Sequence, residues 1–257
     1  MKIIGIIPAR MGSSRFFGKP LAKIHGIPMI GHVYFRSKLS KALEQVYVAT
    51  CDKEIFDYVK SIGAEPIMTA DTHKRASDRT AEAMLKIEEK IGKKLDIVVM
   101  IQGDEPMIYP EMIDLAVGPL IKDDTIQVVN LMSALMDIKE QADPNIIKVV
   151  VDTSNFALYF SRQPIPTRRE DQIQAPILKQ VCIIPFRRDF LIKFNNLKST
   201  PLEITESIDM LRVLEHGYKV KMVISDYKTY SVDTIDDLRR AEVFLKQDKL
   251  VNTYKEK

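Results

Sequence analysis

A mixed, mostly parallel α/β sheet with helices on both faces and a smaller antiparallel subregion is what this sequence predicts. Three observations predict it. Short apolar runs alternate with segments of helical period through the first hundred residues. Runs such as Ile97-Val98-Val99-Met100-Ile101 are apolar at every position, as strands covered on both faces must be. In the second half, two strand-like runs flank the polar turn Thr153-Ser154-Asn155, the mark of an antiparallel hairpin.

Taken in order, residues 2–8 form a strand, 29–41 a helix, 45–50 a strand, 54–61 a helix and 65–68 a short strand. Residues 78–91 carry Ala81, Met84, Leu85 and Ile87 at helical spacing and lead into a strand at 96–101. The second half is less regular. Residues 146–152 and 156–161 are the hairpin strands. Residues 162–176 hold three prolines among charged and amide side chains and form a long loop. A strand follows at 178–186, then a helix at 201–216 ended by Gly217, a strand at 219–225 and a terminal helix at 234–246. Neither a repeat nor a linker divides the chain. The expectation is one domain over 1–257, with the antiparallel subregion inserted at about 140–200.

Composition narrows the class. A chain of 257 residues, 46% hydrophobic and 28% charged, can bury a sizeable core. No run of about 18 apolar residues marks a membrane span, and the first apolar run meets Arg10 too soon to be a signal-peptide core. A soluble, cytoplasmic protein is expected, without a membrane partner. A net charge of +3 is too small for a nucleic-acid footprint, so any basic chemistry is local. Cys51 and Cys182 match no zinc spacing and are expected to pack as small apolar groups.

Two motifs carry the chemistry. The first strand runs into Pro8-Ala9-Arg10-Met11-Gly12-Ser13-Ser14-Arg15-Phe16-Phe17-Gly18-Lys19-Pro20. Parallel α/β sheets bind ligands at the carboxyl ends of their strands. There Gly12 and Gly18 would let the backbone approach a ligand, Ser13 and Ser14 offer donors, and Arg10, Arg15 and Lys19 supply charge for phosphate oxygens. The competing reading is a solvated basic turn. The loop is neither a P-loop nor a G-x-G-x-x-G fingerprint. The second motif, Gln102-Gly103-Asp104-Glu105-Pro106, closes the strand at 96–101. Hard carboxylate oxygens at that edge can hold magnesium against substrate phosphates. Neighbours on an extended chain point oppositely, so one acid of the pair faces the cleft, and Asp104 is the choice. The alternative is a helix N-terminus furnished with acids ahead of Pro110-Glu111.

Both motifs, with Asp143–Asp152, Ala157-Leu158-Tyr159-Phe160-Ser161-Arg162, Pro201-Leu202-Glu203 and Ser231-Val232-Asp233-Thr234, resemble the CMP-KDO synthetases, or 3-deoxy-manno-octulosonate cytidylyltransferases. The resemblance runs in order from about residue 3 to 242. It implies a Rossmann-like nucleotidyltransferase fold, usually a homodimer. It further implies that CMP passes from CTP, with Mg²⁺, to a 2-keto sugar acid, feeding lipopolysaccharide or capsule synthesis when that acid is KDO.

By the same resemblance Asp104 and Asp233 are the metal ligands and, with Lys19, the catalytic set. Arg10, Ser13 and Lys19 would hold the triphosphate, and Ala9 would face the base. The wider candidate nucleotide set adds Pro8, Ser77, Arg79 and Gln102. The candidate acceptor set is Arg15, Gln102, Arg162, Gln180, Glu206 and Asp209, with Arg162 on the acceptor's carboxylate. No His or Cys nucleophile is needed. Of His25, His32, His73 and His216, only His73 precedes a family-like segment.

The chain also departs from the family. Ala76-Ser77-Asp78-Arg79 stands where S-G-T-[DE]-R is usual, and Phe16-Phe17 where Leu-Pro is usual. On the acceptor side, H-x-G-I-Y-x-[YF]-R appears as Gln180-Val181-Cys182-Ile183-Ile184-Pro185-Phe186-Arg187, and L-E-Q-L-R as Ile208-Asp209-Met210-Leu211-Arg212. A site built to bind hydroxyls discriminates by such pairings. The expected acceptor is therefore KDO, a modified KDO, another keto-sugar acid, or a smaller phosphorylated or phosphonylated compound. A GT-A glycosyltransferase has no reason to carry the first-strand loop, and a nucleotide sensor has none to keep Lys19, Asp104 and Asp233 together.

Overall fold

The computed structural model describes residues 1–12, 15–135, 138–167 and 175–254. The chain forms two compact units, Met1–Asp114 with Thr229–Lys257, and Leu115–Lys228.

The first unit opens with β1 (Ile3–Ala9), passes the short strands β2 (Lys23–Ile24) and β3 (Ile27–Pro28), and continues through α1 (Met29–Ser37) and β4 (Gln45–Thr50). Then come α2 (Lys53–Ser61), β5 (Glu65–Met68), α3 (Ala76–Ile91), β6 (Ile97–Ile101) and α4 (Pro110–Lys122), which runs into the second unit. β6, β1, β4 and β5 lie side by side in that order, all parallel. All five residues of β6 are buried, as its unbroken apolar run requires.

The strand order explains where a ligand belongs. From β1 the chain builds outward through β4 and β5, then returns to add β6 on the other side of β1. The crevice at the carboxyl ends of β1 and β6 is thus the topological switch point, where open α/β sheets bind. Those two ends carry the basic loop and the Asp104 turn.

The second unit contains β7 (Val129–Ala134), α5 (Ile138–Ala142), β8 (Lys148–Val151), β9 (Ala157–Ser161), β10 (Leu178–Val181) and β11 (Ile183–Arg187). It is completed by α6 (Arg188–Asn196), α7 (Pro201–Glu206), α8 (Asp209–Glu215) and β12 (Lys221–Ile224). Its sheet runs β12-β7-β10-β8-β9, and only the β12–β7 pair is parallel. β8 and β9 are the expected antiparallel hairpin, with Asn155 in the left-handed region at its turn. The chain then returns to the first unit as α9 (Ile235–Leu245). Among the described residues no helix is long and apolar enough to cross a membrane.

Three expectations about elements need correction. The helix expected over 29–41 stops at Ser37. The strand expected over 178–186 breaks at Cys182 into β10 and β11. The helix expected over 201–216 is two, α7 and α8, parted where Ser207 turns left-handed at φ 54°. The last break has a chemical cause. An unbroken helix would spend the carbonyls of Glu206 and Ser207 on its own backbone. Here they accept hydrogen bonds from Arg162, Nε to Glu206 at 2.6 Å and Nη2 to Ser207 at 3.3 Å.

Candidate functional site

The four parallel strands β6, β1, β4 and β5 end at the same edge, and the residues after the ends of β1 and β6 converge. After β1, the Met11 amide donates to Asp52 Oδ2 at 2.8 Å and its carbonyl accepts from Gly18 N at 3.0 Å. The loop between is thus closed at its neck. Gly18 sits at φ 74°, a left-handed conformation that favours glycine, and turns the chain into a short 3₁₀ segment, Lys19–Leu21. That turn aims Lys19 back along the edge.

After β6, Gly103 passes so close to β1 that a Cβ there would lie 3.3 Å from the Pro8 carbonyl oxygen and 3.0 Å from Ile30 Cδ1. The turn brings Asp104 to Lys19 and leaves Glu105 buried. Asp233 arrives from the far end of the chain. Val232 N donates to the Asp104 carbonyl at 2.8 Å, and Val232 itself is buried in a cluster with Ile24, Met29, Met107, Ala241, Leu245, Val251 and Tyr254. Behind it, Thr234 caps α9, and the Asp237 carboxylate accepts from Thr234 N at 2.9 Å.

The result is a compact charge cluster. Lys19 Nζ donates to Asp104 Oδ2 at 2.9 Å and to Asp233 Oδ1 at 3.2 Å, and Arg15 Nη2 reaches the same Asp233 oxygen at 3.0 Å. Burial works to lower the Lys19 pKa, but the two carboxylates, by charge and by hydrogen bond, outweigh it and raise it. Lys19 therefore stays a cation at neutral pH. Asp104 Oδ1 is buried without a hydrogen-bond partner. Such an orphaned carboxylate oxygen fits a divalent cation, for which hard oxygen donors are the usual ligands. Among the described residues no three His, Cys, Asp or Glu side chains gather into a complete metal cage. Two carboxylates with room for phosphate and water are what magnesium takes in nucleotide sites.

The remaining candidates fall in several places. Arg10 is exposed where β1 ends, Pro8 and Ala9 close that strand, and Gln102 is half-buried at the start of the Asp104 turn. Ser77 and Arg79 are buried in the first turns of α3. Arg79 Nη1 bonds Thr69 Oγ1 and, at 3.3 Å, the Ala70 carbonyl, while its Nη2 is buried without a partner. Ser13 and Ser14 lie outside the described residues, as do 168–174 of the expected long loop.

In the second unit, Arg162 Nη1 also bonds the Pro144 carbonyl at 2.8 Å, and Glu206 accepts from Ser161 Oγ and Arg162 N, each at 2.8 Å. Gln180 donates its amide to buried Asn130, which in turn donates to the Val181 carbonyl at 2.6 Å. Asp209 begins α8. Ile184 and Met210, at two of the departures, are core residues.

The histidines take structural parts. His73 pairs with Glu82, whose carboxyl burial alone would raise; bonds from Lys86, the Ala70 amide and His73 instead hold it at about 2. His25 and His216 bond the Glu242 and Lys198 carbonyls. His32, fully buried, bonds the Ile24 carbonyl through Nε2 and Tyr254 Oη through Nδ1, each at 2.9 Å. Nε2 must donate to a carbonyl, so Nδ1 accepts from the tyrosine and the ring is neutral. Burial lowers its pKa to about 4; the hydrogen bond to Ile24 opposes this, the charges of Arg36 and His25 add to it, and Asp248 opposes it least.

A histidine depressed in the folded state binds its proton sooner when unfolded. Its contribution is therefore full above about pH 6.5 and is lost as pH falls towards 4. Urea unfolding at pH 7 and pH 4.5 should show a loss that His32→Gln reduces by about 1–2 kcal/mol. Equal pH slopes in the two proteins would refute the neutral-ring assignment.

A lysine bracketed by two aspartates at the switch point, beside a basic loop, is suited to holding a phosphate chain and a divalent cation. A family model described as cytidylyltransferase matches residues 4–224. The 3-deoxy-manno-octulosonate cytidylyltransferase of Syntrophotalea carbinolica is 42% identical over 254 residues, covering 96% of this chain and 99% of that one. Its namesake from Geotalea uraniireducens is 40% identical over 257 residues, covering 96% and 100%. A solved CMP-2-keto-3-deoxy-manno-octonic acid synthetase, complexed with CTP, superposes with a TM-score of 0.88 at 38% identity, covering 96% and 99%. The chain belongs to the cytidylyltransferase family, and within it to the 3-deoxy-manno-octulosonate cytidylyltransferases.

Proposed function

We propose that this protein transfers CMP from CTP to the anomeric hydroxyl of 3-deoxy-manno-octulosonate, releasing pyrophosphate, with Mg²⁺ as cofactor. The observation that carries this reading is the Lys19–Asp104–Asp233 cluster at the end of β1 and β6. The sugar hydroxyl attacks the α-phosphorus of CTP. An oxygen–phosphorus bond forms, the α–β anhydride bond breaks, and the hydroxyl proton passes to solvent as pyrophosphate leaves.

The protein's task in such a transfer is positioning and charge. Lys19, held protonated, donates to phosphate oxygens in place of one carboxylate partner, and Arg10 and Arg15 add charge along the same loop. Asp104 and Asp233 would hold the Mg²⁺, which when bound neutralises charge on the phosphate oxygens. Ala9 would face the base, and Pro8, Ser13, Ser77, Arg79 and Gln102 complete the proposed nucleotide set. Arg15 and Gln102 are the first unit's proposed acceptor contacts, and Arg162, Gln180, Glu206 and Asp209 are the second unit's.

A homodimer is part of the reading, and sedimentation at micromolar concentration tests it: a monomer would remove it. So is a cytoplasmic location, where cysteines such as Cys51 and Cys182 normally stay reduced.

The acceptor is tested by a panel of KDO, modified KDO acids and phosphorylated or phosphonylated acids with CTP and Mg²⁺, read by pyrophosphate release. KDO is expected to give the highest kcat/KM. A second reading, a modified KDO or a phosphorylated or phosphonylated small molecule, is raised by the departures from the family pattern at Gln180, Ile184 and Met210. A tenfold or greater preference for a different acid would replace KDO with it.

A further inference from the structure

We propose that Arg36, which lies outside the charge cluster, is the positioning residue that sets the spacing of Asp104 and Asp233. Its side chain is completely buried in α1, an unusual place for a guanidinium unless each of its bonds has a purpose. Its bonds go to two segments distant in sequence. Nη1 donates at 3.0 Å to the carbonyl of Ile108, four residues beyond Asp104 on the same turn. Nε donates at 3.1 Å to Tyr254 Oη, and Nη2 pairs with Asp248. Asp248 and Tyr254 bracket the segment that follows α9, and Tyr254 shares a core cluster with Val232, the neighbour of Asp233. The rings of Tyr109 and Tyr254 both lie under the guanidinium carbon, at 5.7 and 5.9 Å.

One buried cation therefore ties the turn that follows Asp104 to the segment after α9, whose Tyr254 packs in the same cluster as Val232, next to Asp233. Lys19 requires both carboxylates at hydrogen-bonding distance at once. The consequence for turnover rests on the function proposed above, whereas the geometric claim does not. Loss of Arg36 lets the two carboxylates drift apart, and Lys19 then loses the partners that shield it.

The test reads Lys19 directly. Acetylation by acetic anhydride, without nucleotide or metal, is followed by mass spectrometry for Lys19 relative to exposed Lys60 in the same molecule. Arg36→Lys and Arg36→Met are compared with Ile55→Ala, a core truncation in α2 that touches neither segment, and with Asp248→Asn, a milder variant that leaves the bonds to Ile108 and Tyr254. We expect Lys19 to be labelled about tenfold faster in the folded Arg36 variants, severalfold faster in Asp248→Asn and unchanged in Ile55→Ala. Wild-type labelling in folded Arg36→Lys and Asp248→Asn, or equal acceleration in Ile55→Ala, overturns the proposal. Should the wild-type protein form no pyrophosphate while the labelling follows expectation, the functional reading fails and the positioning role stands.

Discussion

Asp104→Ala should leave a folded protein whose pyrophosphate release from CTP and KDO has fallen about a thousandfold. The carboxylate sits at the sheet edge, about one-fifth exposed, so losing its bond to Lys19 should cost no more than about 1 kcal/mol of stability. The catalytic loss is of another order. Oδ1 has no partner within the protein and Oδ2 holds Lys19, so the side chain's bonding capacity is directed into the site. Asp104→Asn keeps the shape and removes the charge, and should lose nearly as much. Asp233→Ala should behave likewise. Because both aspartates share one lysine, the double variant should fall little further than either single one. Turnover by Asp104→Asn above a tenth of wild type, at saturating Mg²⁺, would withdraw Asp104 from the metal set.

The parts of this architecture that were legible in the sequence are those whose signal is local. β4 and β5 coincide with the expected strands because the short, largely apolar runs there lie between segments of helical period. Backbone alternation alone separates Asp104 from Glu105. Asp233 is different. It lies 214 positions from Lys19, and no period or spacing links them, so only the motif resemblance could pair them.

β7 was hidden for another reason. Asn130 and Ser133 are buried in it, and buried polar residues spoil the apolar run by which a strand is recognised. Their presence makes sense only with the cross-strand partners in view, since Asn130 bonds Val181 and Gln180 of β10. Arg36 shows the same limit. A charged residue inside an apolar helix signals that a partner exists, and the fold alone tells which carbonyl and which carboxylate it finds.

The largest loss of stability should follow from Glu203→Ala, in one of the motifs that carry the family resemblance. Glu203 is fully buried at the start of α7 and pairs with Arg212 of α8 through two bonds, Oε1 to Nη2 at 2.6 Å and Oε2 to Nε at 2.8 Å. It also accepts from Thr200 N at 3.2 Å, while Arg212 donates to the Phe194 carbonyl and lies 4.8 Å from that ring's centroid. Removing the acid strands a guanidinium in the core, which costs about 3–5 kcal/mol and should lower the urea midpoint accordingly. Replacing both partners, Glu203→Leu with Arg212→Met, should recover most of that loss, because no charge is then left buried. If the double variant is as unstable as Glu203→Ala, the bonds to Thr200 and Phe194 matter more than the pair. The two short helices would then be held by their backbone contacts, with the buried charges serving only to complete them.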